Sequence, residues 1–175
     1  MRLNVISRGS GPPIVFLHGM GASAATWDAV GEALSDRYLT VAVDLPGHGG
    51  SPCPDDPDRF TRDAALADVD ELLATLAEPA ILVGHSLGGY LALAHAATRP
   101  GAARGIVVAN TGPGFRDPEK REAWNARSRR NAHRFGVPER VADLNLQHDS
   151  VVMDRLAANA TPTPPLLGDA QRPQY

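Results

Sequence analysis

Ala80-Ile81-Leu82-Val83-Gly84-His85-Ser86-Leu87-Gly88-Gly89 is the stretch on which the reading of this chain turns. An apolar run of strand length leads straight into Gly-x-Ser-x-Gly, and a helical pattern starts at Leu87 and stops at Pro100-Gly101. A continuous apolar run is how a strand buried on both faces reads, and proline with glycine ends a helix. In that context the serine has a defined mechanical role. A sharp strand-to-helix turn holds Ser86 in strained backbone geometry, with Gly84 and Gly88 leaving room for it and His85 filling the turn. The hydroxyl then stands above the carboxyl end of a sheet. The Leu87 N–H, at the helix start, faces the place where an oxyanion would develop. A phosphate-cradling loop is disfavoured, because no lysine stands where a P-loop requires one.

Outward from this point, short apolar runs alternate with helical patterns, the signature of a sheet covered by helices on both faces. Leu3 to Ser7 reads as an edge strand, and Ile14-Val15-Phe16-Leu17 as a buried strand running into His18-Gly19-Met20-Gly21. An oxyanion hole needs a second backbone donor from a loop that approaches closely. The glycines flanking Met20 suit that role, with the Met20 N–H as donor and His18 and Gly19 as structural residues. Thr26 is read as the cap of a helix with Trp27, Val30 and Leu34 on one face. Tyr38 to Val43 is the next strand, followed by the tight loop Asp44-Leu45-Pro46-Gly47-His48-Gly49-Gly50-Ser51, where Asp44 and His48 are read as structural. Thr61 caps a helix carrying Leu66, Val69, Leu73 and Leu76, and Gly105 to Ala109 is the last clear strand.

After Pro113 the pattern changes. Phe115 to Leu156 carries Trp124, four arginines between Arg127 and Arg134, and helical spacing without obvious strands, which reads as a helical insertion over the sheet. The tail, Thr161 to Tyr175, is proline-rich, and Pro164 and Pro165 would each remove a ladder donor from any central strand there.

Composition narrows the function classes without choosing among them. The 175 residues carry 43% hydrophobic and 21% charged residues and a net charge of −3, so neither nucleic acid nor an anionic membrane is expected as a partner. The basic residues comprise sixteen arginines and one lysine, Lys120, which points to codon usage more than to function. Cys53 is the single cysteine and forms no internal disulfide. The longest apolar runs are about five residues, far below the roughly twenty that span a bilayer, so a cytoplasmic location is expected. Histidine, cysteine and carboxylate residues show no metal-ligand spacing, and no cofactor is expected. Oligomeric state is open.

His18-Gly19-Met20-Gly21, Asp44 to Ser51 and Gly84 to Gly89, in this order and spacing, resemble the α/β-hydrolase superfamily, most closely its small bacterial esterase, lactonase and carbon–carbon-bond hydrolase group. The likeness is close over residues 2 to 112. It implies a mostly parallel, doubly wound sheet with a helical cap insertion. The expected division is a core over 1–112, a cap over 113–160 and a remnant of the next core strand and acid loop over 161–175. It further implies that Ser86 attacks an acyl carbonyl, that the Met20 and Leu87 N–H groups hold the oxyanion, and that water hydrolyses the acyl-enzyme. Serine in place of aspartate argues against the epoxide hydrolases and haloalkane dehalogenases that share this scaffold.

The later part of the pattern departs from the family. Where an acid is expected after Gly168-Asp169-Ala170, the chain has Gln171, with Asp169 as the nearest carboxylate; Asn110 occupies the alternative acid position. The family's catalytic histidine lies beyond Tyr175. The expectation is therefore a chain lacking the last core strand and helix, with little ester turnover by itself. His95, His133 and His148 have no family context as a base. The leading expectation is a hydrolase of carboxylic-ester type acting on a small acyl substrate. The alternatives are an acyltransferase or lyase on the same elbow, and a catalytically silent binding protein.

Overall fold

A computed structural model describes residues 1–159 of the chain. Five strands, β1 (Val5–Arg8), β2 (Pro13–Leu17), β3 (Leu39–Val43), β4 (Ile81–His85) and β5 (Gly105–Ala109), form one sheet in the order β1-β3-β2-β4-β5. β1 pairs antiparallel with β3, and every other pairing is parallel. From β2 the chain crosses through helix α1 (Asp28–Leu34) to β3, then through α2 (Arg62–Leu73) back to β4 on the other side of β2. The order thus reverses between β2 and β4. In open α/β sheets the crevice outside the carboxyl ends of the strands at such a reversal is where ligands bind.

Strand alternation sends successive side chains to opposite faces. Val15, Leu17, Val41, Val43 and Leu82 join Leu66 and Val69 of α2 and Leu87 and Leu91 of α3 (Leu87–Thr98) in the larger core. Ile14, Phe16 and Ala42 face the other way, against Trp27 and Leu34. The sheet is therefore covered on both faces, as expected.

Two sequence expectations change around α1. Thr26 caps nothing: it lies inside a 3₁₀ turn, Ala24–Trp27, that begins after Ser23, and α1 starts only at Asp28. Val30 is 42% exposed. The covered face runs through Trp27, buried Gly31 and Leu34, at four- and three-residue steps, which leaves Val30 off it. Gly31 is small enough to bring the helix against Thr40, whose hydroxyl donates to the Gly31 carbonyl at 3.3 Å. Thr61 does cap α2, its hydroxyl oxygen accepting from the Ala64 N–H at 3.2 Å. β1 runs Val5–Arg8, starting two residues and ending one residue later than the sequence pattern places it.

Beyond β5, the described chain is helical. Helix α4 (Pro118–Arg134) is capped by Asp117, which accepts from the Glu119 N–H at 2.9 Å. A short helix α5 (Glu139–Ala142), a 3₁₀ turn (Asp143–Asn145) and α6 (Val151–Asn159) follow, with Val152 and Leu156 of α6 packed into the core. Among the described residues β5 has β4 as its one sheet neighbour, and Val107 and Val108 are 53% and 39% exposed. No helix among these residues is long and apolar enough to cross a membrane.

The junction of α3 with the sheet leaves no space for side chains. A Cβ on Gly88 would overlap the Leu17 carbonyl, and one on Gly84 the Gly88 carbonyl. Backbone on both sides cannot yield as a flexible side chain can. Gly88→Ala should therefore destabilise by about 2–4 kcal/mol in urea unfolding, within the range for overpacking and strain. Gly105→Ala, where a Cβ meets nothing within 4 Å, should stay within about 0.5 kcal/mol of the parent.

Candidate functional site

Ser86 sits between β4 and α3 with φ 51° and ψ −114°, a left-handed backbone conformation unusual for a residue with a side chain. Such strain costs of order 1–3 kcal/mol and persists only where the surroundings over-determine it. Here the Ser86 N–H donates to the Ala109 carbonyl at 3.0 Å and its carbonyl accepts from the Tyr90 N–H at 2.9 Å. The turn is thus tied to β5 on one side and to the first turn of α3 on the other.

The loop after β2 lies directly against this serine. A Cβ on Gly19 would stand 3.3 Å from the Ser86 Cβ and 3.0 Å from the His85 ring. The His18 carbonyl accepts from the Gly88 N–H at 3.0 Å, which stitches the loop to the helix start. The N–H groups of Met20 and Leu87 carry no hydrogen bond among the described residues.

Two buried histidines fix that loop, each in a single neutral tautomer. His18 Nδ1 lies 2.7 Å from the Gly19 carbonyl, so it bears the proton, while Nε2 accepts from the Leu45 N–H at 3.0 Å. His48 repeats the scheme: Nδ1 donates to the Pro46 carbonyl at 3.0 Å and Nε2 accepts from the Gly21 N–H at 3.1 Å. A second proton on either ring would set N–H against N–H. Burial pushes both histidines down, His18 to about 4, against the opposing pull of its bond to the Gly19 carbonyl. Asp44 completes the frame, accepting from the Ala24 and Gly50 N–H groups at 2.6 and 2.8 Å and from the Asn4 amide at 2.8 Å. Burial alone would raise its pKa, but these donors outweigh it and hold it below the ordinary carboxylate value.

Ser86 opens on a cavity of about 350 Å³. Tyr90, Asn110 and Thr111 line it from the sheet side, and Phe115, Trp124, Asn145 and Gln147 from the helical segment. Asn110 has φ 51° and lies on this wall. Tyr90, Asn145 and Gln147 are absent from the sequence reading. Tyr90 is legible in retrospect as the residue four after Ser86, on the same face of the helix. Asn145 and Gln147 gave no signal, since alternation over three residues inside a helical stretch is too short to register. Arg62, beside Tyr90, bonds Asp149 at 3.0 Å, joining α2 to the segment before α6.

The remaining candidates lie elsewhere. His95 is fully buried behind the sheet, with Nε2 2.9 Å from Asp70, and His133 and His148 are exposed. Gln171 and Asp169 lie outside the described residues. Among the described residues neither a histidine nor a carboxylate bonds the Ser86 hydroxyl, and no cluster of three or more histidine, cysteine, aspartate or glutamate side chains is placed to hold a metal ion.

The profile of the alpha/beta hydrolase family matches residues 14–174. The chain belongs to that family. It is 38% identical over 126 residues to 2-(acetamidomethylene)succinate hydrolase of Mesorhizobium japonicum, covering 71% of this chain and 44% of the relative. It is 40% identical over 115 residues to pimeloyl-[acyl-carrier protein] methyl ester esterase of Chromobacterium violaceum, covering 66% of this chain and 43% of the relative. The chain thus spans less than half the length of these curated relatives. A crystal structure of E-2-(acetamidomethylene)succinate hydrolase superposes with a TM-score of 0.63 at 29% identity, covering 89% of this chain and 68% of that one. These likenesses agree with the family and the fold expected from the three motifs.

The histidine geometry has a pH consequence with a definite sign. Above about pH 6.5 His18 is neutral whether folded or unfolded; as pH falls toward about 4 the unfolded chain takes up the proton first. Stability therefore declines through that window, by ~3 kcal/mol at 1.36 kcal/mol per pKa unit. Urea midpoints measured between pH 7 and 4 should fall steeply in the parent and more shallowly in His18→Asn, which starts from a lower stability at pH 7.

Proposed function

We propose that this protein is a serine hydrolase of carboxylic-ester type, acting on a small acyl substrate with Ser86 as nucleophile. The observation that carries the reading is the Ser86 backbone at φ 51°, on a turn whose neighbouring N–H groups, Met20 and Leu87, are without partners among the described residues. A buried or crowded donor without a partner is costly in an ordinary turn. It is useful where a negative oxygen forms.

In the proposed reaction the Ser86 oxygen attacks the acyl carbonyl and loses its proton to a base. The carbonyl oxygen takes up negative charge facing the Met20 and Leu87 N–H groups. Collapse expels the alcohol and leaves an acyl-serine, which water cleaves to the free acid and the serine hydroxyl. A carboxylate nucleophile would be needed for alkyl-ester chemistry on epoxides or haloalkanes, and the elbow carries a hydroxyl. Residues 1–112 supply the nucleophile and the oxyanion donors in this proposal. Residues 113–160 act as a cap that closes the cavity with Trp124 and Gln147.

His18, His48 and His95 are committed to other bonds, and the proposal assigns neither the base nor its acid partner to a described residue. The relatives' names fit substrates with a hydrolysable acyl bond, one a small molecule and one an acyl group on acyl-carrier protein.

A fluorophosphonate should label the purified protein slowly and stoichiometrically at Ser86, as located by peptide mass spectrometry. Hydrolysis of p-nitrophenyl butyrate above the blank should vanish in Ser86→Ala. Labelling at another residue, or turnover that survives Ser86→Ala, would overturn the assignment.

A further inference from the structure

The wall of the cavity opposite the sheet is built with more care than enclosure requires. Helix α4 places Trp124, Asn125 and Ser128 on one face, and all three hold the segment 145–147. The Trp124 Nε1–H donates to the Asn145 carbonyl at 3.0 Å, and the Asn145 amide donates to the Ser128 hydroxyl at 3.0 Å. Asn125 grips Gln147 by its backbone on both sides, accepting from its N–H at 2.9 Å and donating to its carbonyl at 3.0 Å. Asn125 and Gln147 are each 6% exposed. The backbone of Gln147 is thus clamped, and its side chain is left to face the cavity that Ser86 opens on.

That side chain is unsatisfied. Gln147 Oε1 is buried and has no hydrogen-bond partner among the described residues. A buried amide oxygen left so is costly, and native structures rarely leave one without reason. The loop facing it makes room: Gly114 adopts φ 110°, and a Cβ there would lie 2.8 Å from Gln147 Oε1. A structural glutamine would have its oxygen paired within the fold, as Asn125 does.

We propose that Gln147 is a specificity-determining residue, whose carboxamide oxygen accepts a hydrogen bond from a hydroxyl or amide N–H on the acyl part of the substrate. The proposal rests on the cavity of Ser86 being the substrate site. Phe115 and Trp124 offer apolar walls for the carbon chain, so the preferred acyl group is short, partly apolar and carries one donor. A site that supplies a fixed acceptor discriminates against the analogue lacking the donor.

The test separates this claim from that of catalysis by removing the chemistry. In Ser86→Ala, binding of p-nitrophenyl 3-hydroxybutyrate and p-nitrophenyl butyrate is followed by ligand-detected saturation-transfer NMR and titrated to equilibrium. The hydroxylated ester should bind roughly five- to tenfold more tightly, the value of one net hydrogen bond. Adding Gln147→Leu should bring the two affinities together with the butyrate affinity little changed. Adding Gln147→Glu, which keeps the acceptor and loses the donor, should preserve the preference. Equal binding of the two esters, binding of neither, a preference that survives Gln147→Leu, or loss of it in Gln147→Glu would each overturn the proposal. Near-ultraviolet circular dichroism of each variant confirms that the clamped segment is intact. Fluorophosphonate labelling of the parent reports on Ser86 independently, so a failed preference and a failed nucleophile give different results.

Discussion

The carboxyl end of β2 and the first turn of α3 meet backbone to backbone, and everything functional in this molecule depends on that contact. Side chains are excluded there because Gly84, Gly88 and Gly19 have none to offer. The close approach lets the Gly88 N–H reach the His18 carbonyl and sets the loop after β2 beside Ser86. It also forces the chain to turn within one residue from strand to helix, which puts Ser86 in the left-handed region. The strain is held by the bonds to Ala109 and Tyr90. Close packing of backbone is what makes such strain sustainable, because no neighbouring atom can move to relieve it.

Around that contact a second layer acts on orientation. Among the described residues the side chains of Asp44, His18 and His48 bond only to backbone groups and to Asn4, and together they define the path of residues 18 to 24. Each histidine spans a backbone carbonyl and a backbone N–H, a task that only the neutral ring performs. Burial enforces that neutrality, so the same desolvation that disfavours the charged form also preserves the loop. His18, adjacent to the site in sequence, is thereby unavailable as a base.

The helical segment contributes the other wall of the cavity by a different device. Its polar residues on α4 bond to backbone in the stretch 145–147 and so convert a helix face into a mount for an extended strip. Arg62 ties Asp149, two residues further on, to α2, and Tyr90 stands beside this pair on α3. Burial raises the Tyr90 pKa against the pull of Arg62, so its phenol stays neutral on the cavity wall. Wall and sheet are therefore coupled through a few buried polar contacts while Trp124 and Phe115 supply the apolar surface.

How far the sequence could be read follows the range of the interactions concerned. Strands β2 to β5, helices α2 and α3, the glycine-lined elbow and the structural nature of Asp44 and His48 were legible from residues close in the chain, because burial on both faces, capping and steric exclusion by a Cβ leave local marks. The entry to α1 was not. Trp27, Gly31 and Leu34 form its covered face only because Gly31 meets Thr40, a contact between helix and sheet that the pattern of Thr26 and Val30 does not reveal. The cavity's far wall was less legible still. Asn145 and Gln147 lie about sixty residues from Ser86 and are ordinary polar side chains in a stretch of helical composition. The sequence by itself determined the fold class and the position of Ser86, since both rest on local periodicity and on glycines whose absence of side chain has one use. Only the tertiary structure decided what shares a cavity with that serine, because the partners of Asn125 and the burial of Gln147 beside that cavity exist only once α4 has closed over the sheet.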